Sequence, residues 1–526
     1  MPCLGAALAL AGVPAVAAAQ SGGTLTVATE ENPDFLDPGF AYTSESWQIL
    51  ANTGNGLLAL RREEGAAGAQ VVPDLARDLP EVTDGGRTLR FTLRRGIRFS
   101  PPVNREVRPS DVKATLERLF VMRSGNAAVY ADIVGAEAML RTGRGTLTGV
   151  DADDDAGTVT IRLVRPDPSF LAALALPFAF VQPRETAPVD QSTVPPVATG
   201  PYRVTSYEPN RTVVLERNPS FQPWTTEIPR GEVDRIVIRI GVTAAQALQQ
   251  IAAGDLDYTQ SRVTTRLLER VDRSAVVVRR NVEPATYYYF MNVNVAPFDD
   301  IRVRRAVALA IDRRAIVDLF RGEAVPTAQI LPPGVPGYRR LPLPAGPQIA
   351  RARALVRQAG ADGDRVTVWG HDTDPSPAVT RHLAATLRTL GFRVTIRLMD
   401  KPTLLTTLGV RRTGAQVGYA RWRHTIPDGA DWFRLLVDGD RLRPSENLNY
   451  SYIDDASLNR LIDRAAAATD PARRAAAWAG VERAVADRIP VVPFANSVRI
   501  EAMSPRVRGY VFHQTFGFLW AKASVR

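Results

Sequence analysis

Residues 365–399 read RVTVWGHDTDPSPAVTRHLAATLRTLGFRVTIRLM, and this stretch decides the fold class. The run 365–369 alternates and is β-branched, so it reads as a strand. Ser376-Pro377 offers an N-cap followed by proline at the first helical position. Leu383, Leu387 and Leu390 stripe one helical face, and Gly391 ends it. Residues 392-FRVTIRLM-399 form a second strand. A strand–helix–strand crossover makes its two strands parallel, so an open α/β sheet is expected. In such sheets ligands bind beyond the carboxyl ends of the strands. Two loops fall there: 370-GHDTDPS-376 and, after a short strand at 415–420, 421-RWRHTIPDG-429.

The second loop belongs to 418-GYARWRHTIPDGADWFRLL-436, which mixes aromatic surface with charge. Pro427-Asp428-Gly429 is turn chemistry, so the segment bends in its middle. Trp432, Phe433, Leu435 and Leu436 read as a helix start that packs inward. A catalytic centre or a gripping pocket could both carry this composition.

Elsewhere, 23-GTLTVAT-29 reads as a strand, and 46-SWQILANTGNGLLAL-60 as a helix up to its glycines. Leu89, Phe91 and Leu93 fall on one strand face. Ser110-Asp111 is a plausible N-cap for a helix over 111–120. In 147-LTGVDADDDAGTVTIRL-163, Asp151, Asp153 and Asp155 have calcium-loop spacing. Ala156 and Arg162 stand where such a loop needs Gly and Glu, so a hairpin turn is expected. Val303, Val307, Ala310 and Ile311 predict one amphipathic helix over 301–320, capped by Asp299 or Asp300. The Pro/Gly-rich segment 326–346 keeps apolar residues throughout and is expected to cross the molecule as an extended loop.

The chain has 526 residues, enough for two or three domains, with 45% hydrophobic and 23% charged residues, an ordinary globular composition. Residues 4–20 are small and apolar and end in Ala17-Ala18-Ala19, which reads as a secretory signal cut after Ala19. A short buried N-terminal helix is the competing reading. Cys3 is the one cysteine, so the mature chain would hold no disulfide, thiol nucleophile or cysteine–zinc site. The net charge is +10, but the arginines are spread along the chain, which argues for a solvated basic surface and against nucleic acid. His371, His382, His424 and His513 form no HExxH or close pair, so no metal is expected. The motifs of serine hydrolases and P-loop enzymes are missing as well, and neither a catalytic residue nor a cofactor is expected.

In order along the chain, GGTLTVA (22–28), FLDP (35–38), VPDLARDLPEVTDGGRTLRFTLRRGIRFS (72–100), PSDV (109–112), ATGPYRV (198–204), LERNPSF (215–221), FMNVNVAPFDDIRVRRAVALAIDRRAIV (290–317), WRHTIPDGADWF, NLNYSYIDDASLNRLIDRA (447–465), IPVVPF (489–494) and RGYVFHQTF (508–516) resemble the family 5 extracellular solute-binding proteins. These are the dipeptide- and oligopeptide-binding components of ABC importers. The resemblance implies a two-lobed periplasmic-binding-protein fold (class II, cluster C type) with an extra subdomain inserted in lobe I. Lobe I would use 20–57, 199–285 and 487–526, the insertion 58–198, and lobe II 286–486. It also implies that an aspartate in the turn, Asp428 or else Asp431, holds the ammonium of a peptide. Trp422 would wall the ligand, and Arg423 or His424 would keep Asp428 ionised. His371, Tyr42, Asn449 and Tyr450 complete the expected contacts. Where dipeptide-specific relatives place an arginine, this chain has His371-Asp372-Thr373-Asp374. The implied partners are a peptide-like solute and a membrane permease with its ATPase subunits. The implied state is a monomer on the periplasmic or outer cell-surface side. A nickel-chelate, opine or sugar binder on the same fold, and a secreted hydrolase, are the alternatives.

Overall fold

The computed structural model describes residues 22–194 and 196–526. The expected signal segment and Cys3 lie outside them. Among the described residues no helix is long and apolar enough to cross a membrane.

One sheet of 11 strands runs through the molecule. In chain order its strands are β1 (Thr24–Thr29), β2 (Tyr202–Glu208), β3 (Thr212–Arg217), β4 (Arg235–Ile240), β5 (Tyr258–Thr259), β6 (Val277–Met291), β7 (Ala324–Pro326), β8 (Arg365–His371), β9 (Arg393–Met399), β10 (Val417–Arg423) and β11 (Val491–Met503). Their spatial order is β9-β8-β10-β6-β11-β5-β1-β4-β3-β2, with β7 on β11. Strands β8 and β9 are parallel in register Arg365↔Arg393 to His371↔Met399, as the crossover requires. The helix between them, Ser376–Thr389, buries Leu383 and Leu387. Its start is one residue earlier than expected. Pro375 is the cap, and the Ser376 hydroxyl instead accepts the His371 N–H at 3.0 Å.

Two long antiparallel strands, β6 and β11, are shared by both halves of the sheet. The stretch 287-YYYF-290 shows why β6 can serve two cores. Tyr287 and Tyr289 face one cluster with Phe494 and Val368, and Tyr288 and Phe290 face another with Trp432 and Trp478. That is the period of two expected of a strand buried on both faces. The β6–β11 ladder shifts register between Val282 and Thr286. Pro284 lies in that gap and has no N–H to donate, so the crossing pair is loosened there.

Residues 58–198 contain a four-stranded antiparallel sheet, Glu81–Thr83, Thr88–Thr92, Thr158–Arg162 and Val150–Asp153. Leu89, Phe91 and Leu93 point into its core. The acidic 151–155 segment closes a hairpin, with Asp153 accepting the N–H groups of Asp155 and Ala156.

Three local expectations change. The 301–320 helix is two helices, Ile301–Ala310 and Arg313–Asp318. Ile311 is extended, and the Asp312 carboxylate accepts from Arg314 and Ala315, which starts the second helix. The helix expected over 111–120 spans Pro109–Val121, and Asp111 inside it accepts the Arg108 N–H at 2.8 Å. The strand expected over 415–420 runs on to Arg423, so Arg421, Trp422 and Arg423 pair with Tyr287, Thr286 and Ala285 of β6.

Candidate solute-binding cleft

Strands β1 and β10 end on opposite sides of a gap beside the β6–β11 crossing. A cavity of about 340 Å³ fills it. Thr29, Glu30, Glu31, Glu45 and Gln260–Val263 form one wall, and Arg421 and Arg423 the other. Glu283, Tyr287 and Ser497–Ile500 of the crossing strands form the floor. A second cavity of about 160 Å³ lies between Tyr42, Ser44, Trp47, Gln514 and Thr515 on one side and Arg423, His424 and Thr425 on the other. Arg423 lines both. The first volume is at the lower end of the ~300–1,000 Å³ typical of small-molecule sites.

Direct contacts cross the gap. The Tyr42 hydroxyl lies 3.2 Å from Thr425 Oγ1, and Arg423 Nη1 donates to Ser44 Oγ at 3.1 Å. Gln514 donates to the Pro333 carbonyl at 2.7 Å, and Arg262 pairs with Glu323.

The floor holds a dense charge cluster. Glu283 accepts from Ser497 Oγ at 2.6 Å and from Arg421 at 3.3 Å. Burial alone would raise its carboxyl. The fields of Arg423, Arg421 and Arg499 and the Ser497 hydroxyl outweigh that and hold it at about 2. Arg421 also lies over the Tyr287 ring, 5.4 Å from its centroid. Arg499 pairs with buried Glu501 at 3.1 Å. Arg423 makes no ion pair among the described residues. Burial, with Arg421 and Arg499 nearby, pulls its pKa down against the attraction of Glu283. Next to it, both ring nitrogens of buried His424 have no hydrogen-bond partner. Burial, then the Arg423 charge, lowers that imidazole to about 3, so it is neutral.

The turn residue expected to hold an ammonium is engaged elsewhere. Asp428 is buried, and Arg474 donates to both its oxygens at 2.7 Å. The Ala430 N–H adds a third bond at 2.8 Å. Arg474 also donates to the carbonyls of Ala465, Ala466 and Ala468 at the end of helix Ala456–Ala467. Gly429 lets this turn lie against Trp478, where a Cβ would come within 2.5 Å of the indole. The geometry is that of a structural ion pair, with no carboxylate edge open to a ligand. Asp431, the second choice, accepts from Trp422 Nε1 at 3.1 Å and the Thr425 N–H at 3.2 Å. It therefore ties Trp422 and the cleft-lining Thr425 together.

Of the other expected contacts, Tyr42, Arg423 and His424 line the cleft. Trp422, Asn449 and Tyr450 do not. Asn449 is buried in its own turn, bonded to Ile453 and Ser451, and Tyr450 packs on Phe290 at 5.7 Å. His371 lies against Tyr419, 5.5 Å between rings, and lines neither cavity. Sequence reading missed the wall made by Glu30 and Glu31. Its own rule pointed there, since both follow directly the strand expected at 23–29. Glu283 and Arg499 gave no such signal, because they sit inside long strands. No group of three or more His, Cys, Asp or Glu stands ready for a metal ion among the described residues.

Comparison with known proteins identifies the family. The model of bacterial extracellular solute-binding proteins, family 5 (middle), matches residues 70–441, and the chain belongs to that family. It is thus a solute-binding protein of the kind that serves ABC importers rather than an enzyme. It is 26% identical to the probable deoxycholate-binding periplasmic protein YgiS of Escherichia coli (strain K12), over 93% of this chain and 91% of that one. It is 24% identical to the di/tripeptide-binding protein 1 of Pseudomonas aeruginosa (strain UCBPP-PA14), over 97% and 95%. Among solved structures, clavulanic acid biosynthesis oligopeptide binding protein 2 superposes with a TM-score of 0.86 at 28% identity, covering 96% of each chain.

Proposed function

We propose that the chain captures a peptide or peptide-like solute in the gap between its two lobes and hands it to a membrane permease powered by separate ATPase subunits. The reading places it outside the cytoplasmic membrane, as a monomer that closes by hinge motion at the β6–β11 crossing. The observation that carries it is the cavity with walls from both lobes, whose floor is the loosened part of that crossing. Relatives named for di/tripeptides, and a structural neighbour named for oligopeptides, support a peptide-like solute. A solute that touches both walls favours the closed form by its differential affinity, which is what a permease could sense. Micromolar binding, about −8 kcal/mol, suffices for capture.

The test is a thermal-shift screen of di-, tri- and tetrapeptides beside bile acids, sugars and metal chelates. A peptide series that raises the melting temperature supports the reading. A shift with sugars or chelates and with no peptide would replace it.

A further inference from the structure

We propose, on the reading that this cleft is the solute site, that the solute is dipolar. Its anionic end lies on Arg423 of the second lobe, and its cationic end faces Glu30, Glu31 and Glu45 of the first.

The argument is the pairing of charges around one cavity. Four guanidiniums line it: Arg262, Arg421, Arg423 and Arg499. Three have carboxylate partners, Glu323, Glu283 and Glu501 respectively. Arg423 has none among the described residues, and it is flanked by two like charges. A half-buried cation in that position is costly unless something completes it. Five carboxylates line the same cavity, and two of them, Glu283 and Glu323, are among those partners. The remaining three, Glu30, Glu31 and Glu45, make no ion pair among the described residues. All three stand on the first-lobe wall, at the end of β1 and at the start of helix Ser44–Thr53. After internal pairing, then, the second-lobe wall is left positive and the first-lobe wall negative. A carboxylate fits Arg423 because the planar guanidinium can donate two parallel bonds to it. Ser44 Oγ, already 3.1 Å from Arg423, and the Tyr42 and Thr425 hydroxyls lie beside it as further donors. These groups and the neutral His424 ring, whose two nitrogens are buried and unpartnered, line the second cavity, which Arg423 shares with the first. The polarity is the reverse of that expected from an ammonium held by Asp428, whose oxygens Arg474 already occupies.

The experiment is calorimetric titration with di-, tri- and tetra-alanine, their C-terminal amides and their N-acetyl forms, against the wild type, Arg423→Gln and Arg423→Lys. Amidation is expected to weaken binding to the wild type roughly 10- to 100-fold, the scale of a lost charge-assisted hydrogen bond. Arg423→Gln should weaken the free acids by a similar factor and the amides far less, and Arg423→Lys should keep part of the discrimination. Acetylation should also weaken binding, and the combined variant Glu30→Gln, Glu31→Gln, Glu45→Gln should blunt that loss. Ligand-free melting curves of each variant check folding. Free acids and amides binding wild type equally well, or Arg423→Gln weakening both alike, overturns the inference and leaves the peptide reading standing. Titrations flat for every peptide overturn both.

Discussion

The segment from Arg421 to Leu436 has two faces, and they differ less in composition than in company. Its inward half puts Trp432 and Phe433 in the core and gives Asp428 a bidentate arginine. Its outward half shows the cleft an arginine with no carboxylate and a histidine with no hydrogen-bond partner. Charged and aromatic residues fill both halves. What separates a supporting turn from a binding wall is whether each polar group is already satisfied by the protein itself.

The harshest test of that division is Asp428→Ala. If the Asp428–Arg474 pair is structural, removing one partner strands a buried guanidinium and should cost about 3–5 kcal/mol in urea unfolding. The double variant Asp428→Ala, Arg474→Met should recover part of the loss, since no charge is then left unpaired. A single variant as stable as wild type, but blind to solute, would move Asp428 back to the binding face.

A smaller effect separates the two aspartates of the turn. Asp431 lies three residues from Asp428 but meets only neutral donors, Trp422 Nε1 and the Thr425 N–H. Burial, with the Asp428 charge adding to it, raises its carboxyl from 3.8 to about 7 despite those bonds. In the unfolded chain the group ionises near 3.8, so the folded state holds the proton more tightly. Its contribution to stability is complete below that value and is lost as pH rises through about 7. Asp74 and Glu482, also raised to about 7 by burial, add the same slope to the background. Asp431→Asn should therefore match wild type near pH 4 and exceed it at pH 8 by roughly 1–3 kcal/mol, seen as a flatter stability–pH curve. A variant curve parallel to wild type would mean that Asp431 is ionised in the fold.

How much of this was legible beforehand follows from range. The crossover at 365–399 rests on local period, caps and a closing glycine, and strands β8 and β9 pair as that pattern demands. The break at Asp312 escaped notice because apolar spacing continues across it, while a competing cap is one carboxylate deep. Position after a strand end placed Arg423 and His424 where the cavities lie, and the same rule applies to Glu30 and Glu31. Asp428 misled because its partner, Arg474, is 46 residues further along the chain, on a helix that sequence alone does not bring to the turn. Asn449 and Tyr450 misled for other reasons: Asn449 is closed within its own turn by Ile453 and Ser451, and Tyr450 packs on Phe290 in the core.

The smallest effect asks whether pairs that do line the cleft behave unlike the buried one. Arg262 comes just after β5, and Glu323 just before β7, which pairs with β11. The pair bridges the gap in the arrangement seen here, but the arginine side chain is 73% exposed. Exposed pairs contribute about 0–1 kcal/mol and are screened by salt, with a Debye length near 10 Å at 0.1 M. Arg262→Gln should leave the melting temperature nearly unchanged and alter apparent solute affinity by less than about fivefold, since that affinity scales with the fraction of molecules in the competent lobe arrangement. The difference should fade as salt is raised, because screening removes in the wild type what the substitution removes in the variant. A tenfold or larger change that persists in high salt would make this pair a latch rather than a passing contact, and the contrast between satisfied buried charges and weakly held cleft charges would fail at its cleft end.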